Sequence, residues 1–113
     1  MEDEALIAED LRRLVVLLGY AVVAVTDSGE EAVQQARELR PDLVLLDFKL
    51  RGSMNGVEAG ALIQQSVATA VVYVSANADV LQQPHVVRKP FSKATLSRGI
   101  TAALADRQNR LPV

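Results

Sequence analysis

The run Leu43-Val44-Leu45-Leu46 is apolar at every position and ends in Asp47, followed by Phe48. Set between two helical patterns, it reads as a strand buried on both faces of a parallel sheet, because only such a strand dispenses with a polar face. A carboxylate at its carboxyl end lies where open α/β sheets form their ligand crevice. Inside the strand an unpaired charge would be too costly, whereas at the rim it can function.

The rest of the chain repeats that alternation. Leu6, Ile7, Leu11, Leu14, Val15 and Leu18 recur at helical spacing with Glu9, Asp10, Arg12 and Arg13 between them, and Gly19 suits the position after the helix. Residues 21–26 are rich in β-branched side chains and predict a strand. Ser28 with Glu31 matches a capping box for a second helix, which runs to about Leu39 and is stopped by Pro41. A loop from Leu50 to Gly56 leads to a third helix from about Val57 to Gln65, and residues 70–74 predict another buried strand. Residues 78–83 have room for about one helical turn before Pro84. Val86-Val87 is a short strand, and Ser92 can cap a last helix ending near Ala105. The expected organisation is one domain over 1–105 and a polar, frayed tail over 106–113. Strands alternating with helices predict a doubly wound α/β fold with a parallel sheet, whose right-handed crossovers gather the strands' carboxyl ends on one rim.

Composition narrows the function. With 113 residues, the chain builds a single core. A net charge of −2 gives no footprint for nucleic acid, and no apolar run is long enough for a membrane span. The start is acidic and unlike a signal peptide. Without cysteine there is no thiol nucleophile, disulfide framework or zinc-thiolate cluster, and a reducing compartment is compatible. His85 is the single histidine, which argues against a histidine metal site or an internal phosphohistidine relay; it reads as a loop residue with no special role.

Asp47 has candidate partners in Glu2 and Asp3 ahead of the first helix, in Ser75 at the end of an apolar run, and in Lys89 before Pro90. An aspartate that accepts a phosphoryl group needs help of these kinds. Carboxylate and phosphate repel, so a divalent cation must neutralise them, and clustered carboxylates are the hard oxygen ligands that Mg²⁺ takes. Charge spread over the phosphoryl oxygens needs fixed donors, a cation from Lys89 and a hydroxyl from Ser75. Asp47 would be the nucleophile that forms an acyl phosphate.

This set resembles the receiver domain of two-component response regulators, over nearly the whole chain. Glu2-Asp3-Glu4 looks like the family's acidic cluster, Leu45-Leu46-Asp47 its phosphoacceptor strand, Val74-Ser75-Ala76 its switch hydroxyl, and Lys89-Pro90-Phe91 its Lys-Pro-Phe motif. The resemblance implies a flavodoxin-like fold and an Asp47 that takes phosphate from a histidine kinase or phosphotransfer protein. It implies Mg²⁺ held by Asp3, Asp47 and the Phe48 carbonyl, with Glu2 acting through water. Ser75 and Lys89 would bind phosphoryl oxygens, and the Lys89-Pro90 bond would be cis. Output would pass by contact with a downstream protein in the cytoplasm, with no direct nucleic-acid or membrane binding; a homodimer stays open.

Four positions depart from the family pattern. The apolar strand that normally precedes the acidic pair is missing, so that either the start is truncated or another chain fills the gap; it is an internal strand, and its loss leaves unpaired edges. Ser75 and Lys89 are close together, so the fourth helix is shortened or missing. Val86 stands where many members carry an aromatic switch, with His85 beside it. Lys49 follows Asp47 by two residues, a place where aspartyl-phosphate hydrolases typically carry a second acid, which argues against that enzyme class. The remaining competitor is a pseudo-receiver, an interaction module that is never phosphorylated.

Overall fold

A computed structural model describes residues 4–22, 24–26, 28–47, 54–75, 83–89 and 91–110. Its elements are α1 (Glu4–Leu17), α2 (Gly29–Leu39), β1 (Leu43–Asp47), α3 (Gly56–Ser66), β2 (Ala70–Ser75), β3 (Val86–Arg88) and α4 (Lys93–Arg110). The described strands form one parallel sheet in the order β1-β2-β3, with Leu43 opposite Ala70 and Tyr73 opposite Val86. All six residues of β2 are buried, because helices cover both faces. Ala32, Val33, Ala36, Ala59 and Ile63 from α2 and α3 pack on Leu46, Val71 and Tyr73. Val15 of α1 and Leu96, Ile100 and Ala103 of α4 pack on Ala70, Val72 and Val87. Alternate residues of β2 thus feed separate cores, as a two-residue side-chain period requires. No helix among the described residues is long and apolar enough to cross a membrane.

Local chemistry sets the helix ends. Gly19 has φ +99°, and the N–H groups of Gly19 and Tyr20 donate to the carbonyls of Val16 and Val15 at 3.0 and 3.2 Å. That pair of bonds is a Schellman motif, sealed because Tyr20 and Val15 join the same apolar cluster. Ser28 Oγ accepts the Glu31 N–H at 3.1 Å, but the Glu31 carboxylate turns to the Thr26 hydroxyl at 2.7 Å, so the expected capping box is only half made. A complete one opens α3, where Asn55 and Glu58 each accept the other's backbone N–H. Arg40 closes α2 in the left-handed conformation (φ 47°) ahead of Pro41. Ser92 and Thr95 cap α4 reciprocally, each side-chain oxygen accepting the other's N–H.

Two sequence expectations need correction. The predicted strand over 21–26 is absent: its described residues, 21, 22 and 24–26, carry no ladder. A strand exists only through its neighbours, and among the described residues β1 pairs only with β2, so residues 21–26 have no strand beside them. Val25 stays 59% exposed, while Tyr20 and Val22 still pack on the core beneath α1. The last helix continues past Ala105 to Arg110, because Asp106 and Arg107, read as tail, find partners on the sheet. His85 is one of those partners, its Nε2 lying 3.1 Å from Asp106 Oδ2. The shortened fourth helix falls mostly on residues 76–82, outside the described residues.

Candidate functional site

Parallel strands with the same direction end together, and here the ends carry the chemistry. Asp47 is the last residue of β1 and lies opposite Val74 of β2. Ser75 is the last residue of β2 and lies opposite Arg88 of β3. Lys89 follows directly, and its N–H donates to the Ser75 carbonyl at 3.0 Å. Neighbouring strands lie about 4.8 Å apart, so the backbones bearing Asp47 and Lys89 are separated by about 10 Å with Ser75 between them. Ser75 is 3% exposed, in alternation with Val71 and Tyr73 on the sheet face covered by α2 and α3. Lys89 is half-buried.

The helices α2 and α3 that cover this face of the sheet start close together. The Asn55–Glu58 capping box opens α3 a few residues after Asp47 in the chain. Gly29, the first residue of α2, lies against Met54; a Cβ there would fall 3.0 Å from that of Met54. The starts of α2 and α3 therefore meet beside each other.

Of the predicted site residues, Asp47 is described by its backbone, and Ser75 and Lys89 are brought to the same rim. Glu2, Asp3 and Phe48 lie outside the described residues, as do Lys49 and Pro90. Among the described residues no group of three or more acidic or histidine side chains could hold a metal.

Two residues before Ser75, burial pushes the Tyr73 phenol above its usual pKa of 10.0. Folding then favours the neutral phenol, while the unfolded chain ionises first. Stability is accordingly whole below about pH 10 and falls as pH rises through the folded-state value. Urea titrations from pH 8 to 11 should show this loss, and Tyr73→Phe should flatten it; an equal alkaline loss in the variant would assign it elsewhere.

Comparison with known proteins decides the family. The family model for the response regulator receiver domain matches residues 1–100. The chain belongs to that family. The receiver is 34% identical to the phyllosphere-induced regulator PhyR of Methylorubrum extorquens, over 96% of this chain and 43% of that protein. It superimposes with a TM-score of 0.85 and 33% identity on the signal receiver domain of a modulated diguanylate cyclase from Desulfovibrio desulfuricans G20, covering 97% of this chain and 94% of that one. The anti-anti-sigma factor PhyR of Bartonella quintana matches at a TM-score of 0.80 and 32% identity, over 96% of this chain and 46% of that one. The receiver thus spans a little under half the length of both PhyR proteins. Its parallel sheet with helices on both faces is the flavodoxin-like fold of this family.

Proposed function

We propose that the chain is a phosphoacceptor receiver that takes a phosphoryl group onto Asp47 and signals through protein contact. The observation that supports this best is the convergence of Asp47, Ser75 and Lys89 on the carboxyl rim of three adjacent parallel strands. A carboxylate oxygen of Asp47 attacks the phosphorus of a phosphohistidine on a histidine kinase or phosphotransfer protein. The P–N bond breaks, the imidazole leaves and takes a proton from solvent, and an acyl phosphate remains on Asp47. The Ser75 hydroxyl and the Lys89 ammonium meet phosphoryl oxygens, placing fixed dipole and charge where negative charge is spread. Glu2, Asp3, Asp47 and the Phe48 carbonyl would hold Mg²⁺; they are all oxygen donors, the set this ion prefers, and the ion would neutralise carboxylate and phosphate. The domain works in the cytoplasm, where such kinases present their phosphohistidine. Output goes to a partner protein, a reading supported by likeness to PhyR proteins, one of them described as an anti-anti-sigma factor.

Incubation with acetyl phosphate and Mg²⁺ tests this by intact mass. The receiver should gain one phosphoryl group, and Asp47→Ala or omission of Mg²⁺ should abolish the gain. No shift in a folded sample would leave the pseudo-receiver, which carries the fold and partner surface without the chemistry.

A further inference from the structure

The last turn of α4 touches the amino ends of all three described strands. Arg107 Nε donates to the carbonyl of Ala68, two residues ahead of β2, at 2.9 Å. The same guanidinium reaches Asp42 Oδ1, just ahead of β1, at 3.4 Å. Asp106 Oδ2 lies 3.1 Å from Nε2 of His85, just ahead of β3. This rim is the opposite one from Asp47, Ser75 and Lys89.

The contacts differ in weight. Asp42 is 84% exposed, so its ion pair contributes little. The charged hydrogen bond to the Ala68 carbonyl and the His85–Asp106 pair carry the hold, His85 being only 19% exposed. Apolar anchoring of α4 ends earlier, at Ala103 and Leu104. A helix end without an apolar face or partners frays. The helical state beyond Ala105 therefore depends on these polar contacts.

The strand-end residues it holds also belong to the ladder. The Asp42 carbonyl accepts the Ala70 N–H at 3.0 Å, and the His85 carbonyl accepts the Tyr73 N–H at 2.9 Å. One clasp thus bears on the β1–β2 and β2–β3 pairings together. We propose that residues 105–110 form a releasable strap that opens as one unit, and that its closure fixes the amino-end alignment of the three strands. A change at the 83–85 turn then reaches the root of the strand that carries Asp47 through a single helical turn. The device is independent of whether Asp47 is phosphorylated.

Amide hydrogen exchange on the full chain, followed by NMR, tests the strap. Arg107→Ala should speed exchange about tenfold at 105–110 and also at both Ala70 and Tyr73, the scale expected for losing a charged hydrogen bond. His85→Ala should speed the same set, and the double variant should add little, because a strap already open cannot open again. Gln108→Ala, at an exposed position of the same turn, should change nothing. Should Arg107→Ala fail to fold, Arg107→Lys serves, since a lysine cannot meet Ala68 and Asp42 with one rigid fork. Strictly local effects would overturn the proposal, as with Arg107→Ala speeding Ala70 but leaving Tyr73 unchanged. Additive effects in the double variant would overturn it too.

Discussion

Gly60→Ala will destabilise the domain by about 2–3 kcal/mol, although alanine is the better helix former by about 1 kcal/mol. Gly60 lies inside α3, where it is buried against β2. A Cβ built there overlaps the hydroxyl of Tyr73 and falls 2.9 Å from Cζ and 3.1 Å from Cε1 of the same ring. Tyr73 is itself 5% exposed and held between α3 and the sheet. A rigid ring in that setting cannot step aside, so the helix must lift from the strand that ends in Ser75. The variant tests the packing through its partner. In a Tyr73→Phe background the hydroxyl overlap is gone while the ring contacts remain, so the cost of Gly60→Ala should fall by about half. Chemical denaturation of the four proteins gives the coupling energy, expected to exceed about 1 kcal/mol. Equal costs in both backgrounds would mean that the helix, and not the ring, gives way.

The features legible in the sequence are those that depend on near neighbours. The β1 run, the stop at Pro41, the glycine after α1 and the Ser92 cap each follow from a few residues, and each falls within a residue or so of its expected place. The rim of Asp47, Ser75 and Lys89 was legible because strand ends in a parallel sheet gather by rule and not by detail. Residues 21–26 show where such reading ends. Their β-branched composition is right for a strand, but a ladder needs a partner, and composition does not supply one. The end of α4 failed for a related reason: Asp106 and Arg107 look like a polar tail until His85 and Ala68, far away in sequence, come into reach. Local competition explains the capping boxes. Thr26 draws the Glu31 carboxylate from Ser28, while at Asn55 the Glu58 carboxylate meets the backbone N–H. Gly60 gave no sequence signal at all, since a helical glycine reads as a weakness until the facing ring is known.

Ile63→Ala and Ile100→Ala should each cost about 2–5 kcal/mol, and the costs should add. Both residues are fully buried, Ile63 in the α2–α3 core and Ile100 in the α1–α4 core on the other side of the sheet. Truncating either removes apolar contact and leaves a cavity that the surrounding helices only partly close. A domain of this size has about 5–15 kcal/mol to lose, so a single truncation should fold with a lowered denaturation midpoint. The sheet separates the two sites, and their clusters share no residue, because alternate residues of each strand face opposite ways. Additivity to within about 0.5 kcal/mol follows from that separation. The double variant should then be at or beyond the limit of folding at room temperature. Urea denaturation with unchanged m-values for the single variants is the measurement. A cost below about 1 kcal/mol at either site would deny that site its place in a core. A double variant much more stable than the sum would show that the two faces yield together, with β2 shifting between them.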